Sequence, residues 1–227
     1  MTDDTLPKLL ARNARAHGAE VALREKAFGI WRSITWTEYE ARTRAMALGL
    51  RALGLGAGDV VGLIGDNRPD WVMGEIAAHA IGARSLGVYR DALDDEVAYL
   101  LEFAGASAVI AEDEEQVDKL LNVSDRLPKL RHIVYSYPRG MRKHEDARLL
   151  PVSELVRAGD AAHAADPSAW AQLVAGTRGE DVAVLCTTSG TTARPKLAML
   201  TGGALVRHCK SYLRADPKSP QDEYVSV

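Results

Sequence analysis

The sequence predicts an α/β protein built on a mostly parallel sheet flanked by helices. Three observations carry that expectation. Short apolar stretches alternate with amphipathic segments of helix length along most of the 227 residues. The apolar stretches read as buried runs, as strands covered on both faces do. Prolines, glycines and acidic residues stand at the junctions, where helices start and stop.

Taken in order, Phe28 to Thr35 reads as a strand, part of a hairpin over Gly29. Thr37 followed by Glu40 has the spacing of a capping box, opening a helix that runs to about Leu53 and ends at Gly54. Val60 to Gly65 is a strand, and Pro69 opens a second helix through Trp71, Val72, Ile76 and Ala80 that stops at Gly82. Ser85 to Tyr89 is the next strand. Asp94 is the expected cap of a third helix with Val97, Leu100, Leu101 and Ala104 on one face. Ala108 to Ala111 is strand, Glu114 to Leu121 helix and Arg131 to Tyr135 strand. A looser stretch runs from Pro138 to Pro151, followed by helical character from Ser153 to Val174, broken near Pro167. Val182 to Cys186 is a buried strand, Leu197 to Leu200 is apolar and Ala204 to Leu213 is a helix. No internal repeat is visible. The best candidate for a domain boundary is the stretch from Ala158 to Glu180.

Composition narrows the class. Hydrophobic residues make up 47% and charged residues 26%, the balance of a globular chain and not of a disordered or coiled-coil one. A net charge of -3 argues against nucleic acid as a partner. Cys186 and Cys209 lack metal-site or disulfide spacing and are expected to be reduced and buried, as in a cytoplasmic protein. Residues 1–10 hold acids and a proline and do not read as a signal peptide. No apolar run reaches membrane-spanning length, so membrane association, if any, is peripheral.

Several features read as structural. Gly54-Leu55-Gly56-Ala57-Gly58 looks like a dinucleotide-binding loop, but that motif follows a strand and opens a helix, whereas here a helix precedes and a strand follows. His79 lies beside an apolar helix face and reads as a core or surface histidine and not a ligand; His17 and His208 have no partner at ligand spacing. The run Glu112 to Glu115 reads as a helix start favoured by the macrodipole, not a metal site. Trp31 and Trp36 read as packing.

The informative segment is Thr187-Thr188-Ser189-Gly190-Thr191-Thr192-Ala193-Arg194-Pro195-Lys196, directly after a strand. Five of its first six residues carry hydroxyls. Hydroxyls and backbone N–H groups in a tight loop suit phosphate oxygens, Lys196 supplies a mobile cation, and Pro195 stiffens the exit. The loop is not a Walker A motif, because Pro195 precedes the lysine and Leu197 follows it. Physically it is either a phosphate-binding loop or a Ser/Thr-rich surface turn.

The segment Thr188 to Lys196 closely resembles the phosphate-binding signature of the AMP-binding, adenylate-forming enzymes, in which this loop embraces the β- and γ-phosphates of ATP with magnesium. Thr188, Ser189, Gly190, Thr191, Thr192, Pro195 and Lys196 match that signature; Ala193 replaces its usual glycine, and Gly202 stands where a histidine is usual. The resemblance extends through Asn67 to Trp71, Gly82-Ala83, Gly87-Val88-Tyr89, Glu96 to Leu101, and Leu130 to Val134 with Pro138-Arg139-Gly140, where it is closest to long-chain fatty acyl-CoA synthetases. It implies a sheet-and-helix fold that is the N-terminal portion of the AMP-binding domain, with 182–200 as strand and phosphate-binding loop. It implies ATP, Mg2+, CoA and a fatty or other carboxylic acid as small-molecule partners. Thr188, Ser189, Gly190, Thr191, Thr192 and Lys196 become the ATP-binding residues, and Thr188 the one at the magnesium. Asp222 to Val227 resembles the start of a family segment that continues further, so the chain is expected to be an N-terminal fragment, inactive alone, missing the C-terminal half of the enzyme. An exposed apolar face is expected where that half docks. The alternatives are another adenylate-forming ligase (an aryl-CoA ligase or a peptide-synthetase adenylation domain) or a non-catalytic nucleotide-binding module.

Overall fold

The computed structural model describes residues 3–27, 29–188, 195–219 and 222–223. Helix α1 (Leu6–His17) leads into a hairpin of β1 (Val21–Ala27) and β2 (Ile30–Thr35), a separate two-stranded sheet turned at Gly29 with φ +81°. Then come α2 (Trp36–Ala52), β3 (Val60–Ile64), α3 (Pro69–Ala80), β4 (Arg84–Val88), α4 (Asp94–Ala104), β5 (Ala108–Ala111), α5 (Glu114–Asn122), β6 (His132–Tyr135) and β7 (Leu149–Pro151). Helices α6 (Val152–Ala165) and α7 (Ala169–Gly176) precede β8 (Val182–Thr188), β9 (Lys196–Thr201) and α8 (Gly202–Ala215).

Among the described residues, seven strands form the main sheet in the order β7-β6-β5-β3-β4-β8-β9. All neighbours pair parallel except β9, which runs antiparallel to β8 at the edge. The expected α/β class with a mostly parallel sheet is what the molecule adopts. Every residue of β3 and β5 is buried, so these strands need cover on both faces. Val61, Leu63, Ala108, Ile110 and Val134 point into one core layer with α1, α2, α3, α6 and α7. Val60, Ile64, Val109, Ala111 and Ile133 point into the other, with α4 and α5.

Helix α2 crosses α6 at unusually close range. A Cβ on Gly159 of α6 would overlap the Ala45 carbonyl oxygen, and one on Gly49 of α2 would overlap the Leu155 carbonyl. The two glycines let the backbones approach, which seats Leu155 at 0% exposure.

Four local readings change. The capping box is Thr35 with Glu38, not Thr37 with Glu40: the Glu38 N–H donates to Thr35 Oγ1 at 3.2 Å, and the Thr35 N–H donates to Glu38 Oε2 at 2.8 Å. Thr35 wins because its backbone is still held in the hairpin opposite Val21, in the extended geometry a cap needs. Glu40 instead accepts from Trp170 Nε1 at 2.9 Å. Leu93, not Asp94, is the N-cap of α4; Asp94 stands one residue inside and accepts from Asn122 Nδ2 at 3.0 Å. Strand β7 lies inside the stretch that reads as loose, where three residues pair with β6 without a visible period. Cys186 and Cys209 are free thiols but exposed, not buried. Cys186 falls on the outward phase of β8, whose buried positions are Ala183 and Leu185, and Cys209, although three residues after Val206, lies in the part of α8 from Arg207 onward that is exposed throughout.

The close crossing makes a prediction. Gly159→Ala should destabilise the protein by about 1–3 kcal/mol in urea denaturation, because the added methyl meets backbone and cannot be relieved by a rotamer change. Gly176→Ala, at the end of α7 where a Cβ meets nothing within 4 Å, should be neutral or slightly stabilising.

Candidate functional site

Because β3, β4, β5, β6 and β8 are parallel, their carboxyl ends share one edge of the sheet. Two assemblies stand there. The first is the loop leaving β8. Thr188, the last residue of β8, pairs in register with Lys196, the first of β9, so the loop between them is closed at its base by an antiparallel ladder. Thr188 Oγ1 lies 3.4 Å from the Lys196 carbonyl oxygen, and both side chains are exposed at this edge. Ser189, Gly190, Thr191 and Thr192 lie outside the described residues. At the exit, the Tyr99 phenol of α4 donates to the Pro195 carbonyl at 2.9 Å. Sequence reasoning gave Tyr99 no role.

The second assembly is the turn after β3. Gly65 adopts φ +150°, and a Cβ there would come within 2.5 Å of the Glu112 Cβ. Glu112, 8% exposed at the end of β5, accepts from the Asp66 N–H at 2.6 Å and from Arg68 Nε at 2.7 Å. Arg68 also donates to Glu25 Oε1 at 3.0 Å, and its guanidinium lies 5.6 Å from the Tyr137 ring centre. The bond to Glu112 and then that to Glu25 hold the Arg68 guanidinium more firmly protonated than usual. Asp66 in turn accepts from Arg90 Nη1 at 2.7 Å. The run Glu112 to Glu115 therefore divides. Asp113 caps α5 through the Gln116 N–H at 3.3 Å, with Glu114 and Glu115 in the first turn, whereas Glu112 is a buried anchor. Its signal was its place directly after the fully buried run of β5.

Along α5, Glu114 and Asp118 converge with His144, all three donor atoms within 4.8 Å of one another. Lys143 already sits on the Glu114 carboxylate and lies 3.7 Å from Asp118, so one of the two negative charges there is offset internally.

A cavity of about 650 Å³ opens at the opposite, amino edge, lined among others by Gly58, His79, Arg84, Leu173, Val182 and Ala183. It is remote from Thr188 and Lys196. Of the core and surface placements open to His79, the structure has the core one: it is buried there, with Nε2 3.0 Å from Ser85 Oγ. Burial pushes its imidazole down to about 4. Ser85 Oγ also donates to Glu75 Oε1 at 3.0 Å, and burial pushes that carboxyl up.

Fold and loop position define a class: α/β domains that present a loop at the carboxyl edge of a mostly parallel sheet. Within it, the chain belongs to the AMP-binding enzyme family, whose model matches residues 10–227. It is 31% identical over 182 residues to the long-chain-fatty-acid–CoA ligase FadD15 of Mycobacterium bovis, covering 80% of this chain and 28% of that protein. It is 26% identical over 197 residues to the long-chain-fatty-acid–CoA ligase ACSBG2 of Xenopus laevis, covering 87% of this chain and 26% of that one. The chain thus spans little more than a quarter of these relatives. Among solved structures, the anthranilate CoA ligase AuaEII in complex with anthranoyl-AMP superposes with a TM-score of 0.72 at 22% identity, over 88% of this chain and 35% of that one. The luciferase-like enzyme of Zophobas morio superposes at 0.73 with 16% identity, over 93% and 46%. These likenesses establish the fold. Among the described residues no helix is long and apolar enough to cross a membrane.

Glu112→Ala should cost about 2–3 kcal/mol in urea denaturation, since it strips partners from the Asp66 amide and from Arg68, which is only partly screened by solvent. Glu112→Gln, which keeps an acceptor, should fall between. His79 sets a pH window. Its folded pKa lies below the ordinary 6.5, so the unfolded chain takes up a proton that the folded chain refuses. Its stability contribution is complete above about pH 6.5 and is lost as the pH falls toward about 4, a loss on the order of 3 kcal/mol. Glu75 has the opposite sign but is common to both proteins in a comparison with His79→Gln. The urea midpoint of His79→Gln should therefore fall less than that of the parent across this window.

Proposed function

We propose that the chain is the N-terminal part of an ATP-dependent acid–thiol ligase of the long-chain fatty acid–CoA ligase type, working in the cytoplasm. The observation that carries this reading is the mutual placement of Thr188 and Lys196 at the mouth of a strand-terminal loop on the carboxyl edge. Family membership and relatives named as long-chain-fatty-acid–CoA ligases support the substrate class. The low coverage of those relatives supports a larger enzyme, whose remaining portion completes the site. Exposed apolar side chains supply surface for it to cover: Met199 and Leu200 on β9, Tyr212 and Leu213 on α8. On this reading residues 1–227 alone do not turn over.

The chemistry follows from the reactants. A carboxylate is a poor electrophile because its charge repels nucleophiles. Its oxygen attacks the α-phosphorus of ATP, the bond to pyrophosphate breaks, and acyl-AMP forms. The CoA sulfur then attacks the acyl carbon and AMP leaves. The first step gathers charge on the departing phosphates, which positioned donors and cations stabilise. Lys196 offsets charge on the β- and γ-phosphates. The hydroxyls of Thr188, Ser189, Thr191 and Thr192 orient them, and Gly190 lets the backbone come close. The Thr188 hydroxyl, exposed at the end of β8, is the kind of hard oxygen donor that suits Mg2+. When bound, Mg2+ neutralises phosphate charge.

Calorimetry of Mg-ATP binding to the 227-residue chain tests the assignment. Saturable binding weakened about tenfold or more by Lys196→Ala, a difference of about 1.4 kcal/mol, is expected. Equal binding by both proteins would remove Lys196 and its loop from the site.

A further inference from the structure

We propose that Tyr99 is a positioning residue of the β8–β9 loop: its phenol fixes the loop exit and so sets where Lys196 is presented. The inference rests on the reading of that loop as a phosphate site. The Tyr99 hydroxyl donates to the Pro195 carbonyl at 2.9 Å, joining residues 96 apart in sequence. Proline has no N–H, so this carbonyl is the only polar backbone group Pro195 has, and Lys196 is the next residue. On the entry side, β8 is held by β9 up to Thr188 and, farther back, by β4 at Val184 and Leu185. The exit side is weaker, since β9 is an edge strand whose described ladder to β8 ends at the pair Thr188–Lys196.

The phenol comes from a fixed platform. Its ring stacks on Phe103 with centroids 5.7 Å apart and planes 7° from parallel. Tyr99 and Leu197 both pack against the core layer that buries Val97, Leu100 and Leu101 of α4. The start of the helix is tied to the following elements by Asn122 donating to Asp94 at 3.0 Å and Arg126 to Asp95 at 2.5 Å. A hydroxyl carried this way can hold a backbone oxygen to a few tenths of an ångström, the tolerance that ligand positioning requires.

Tyr99→Phe removes the hydroxyl and keeps the ring stack, and two measurements separate the outcomes. In the ligand-free chain, hydrogen exchange in the segment 195–201 should quicken about fivefold while the melting temperature stays within about 2 °C of the parent. In calorimetry, Tyr99→Phe should weaken Mg-ATP about tenfold, in the same direction as Lys196→Ala. Unchanged exchange would overturn the tether, whether or not ATP binds. Faster exchange with parental ATP affinity, while Lys196→Ala still binds weakly, would overturn the positioning role and leave the phosphate loop standing. If Lys196→Ala binds as the parent does, the phosphate reading itself falls, and the positioning role falls with it.

Discussion

The two-faced burial of β3 is the constraint on which the rest depends. A central parallel strand with no exposed residue can exist only if connections cross over both faces of its sheet. The chain meets this by sending β3 into α3 on one face and its neighbours β4 and β5 into α4 and α5 on the other. The loops that leave β3 and β5 at the carboxyl edge therefore turn to opposite faces of the sheet. The turn of Gly65 to Arg68 is joined there to Glu112, the residue after β5. Strand β8 pairs beyond β4 and delivers the hydroxyl-rich loop to the same edge. The position of the loop is thus a consequence of how the hydrophobic layers close.

Much of this was legible in the residues. The stretch Ala108 to Ala111 coincides with β5, Pro69 opens α3, and the turns at Gly29, Gly54 and Gly82 all have positive φ. These signals are local: a buried apolar run, a fixed proline φ, a backbone only glycine adopts freely. What escaped was decided by tertiary contacts. Thr35 and Thr37 both stand three residues before a glutamate, and only the pairing of β2 with β1 selects the first. Helix α1 begins at Leu6 behind Thr5, whose hydroxyl bonds Thr177 at 2.7 Å, a partner no local window contains. The exposure of Cys186 follows from the phase of an edge-proximal strand, which composition does not encode.

The candidate site divides in the same way. Its composition was readable because hydroxyls, a glycine and a Pro-Lys exit in one run are a chemical statement. Its support was not. Tyr99 belongs to a helix whose periodicity announces only a packed face, and Glu112 to an acidic run whose simplest reading is a helix start. Each becomes specific through a bond to a residue far along the chain, Pro195 in one case and Arg68 in the other.

These two supports share a logic. Glu112 sits at the carboxyl end of β5 and Tyr99 on α4, so each belongs to an element that packs in the core layer of α4 and α5. Each holds the backbone of a loop that leaves a different strand: the Asp66 amide after β3 and the Pro195 carbonyl before β9. A loop that must present several groups to one ligand cannot be shaped by its own short-range contacts alone, because the conformational entropy of each residue works against a single geometry. Bonds from a packed layer lower that cost at the exit. The layer of α4 and α5 therefore does more than cover the sheet; it is the frame from which the carboxyl edge is held.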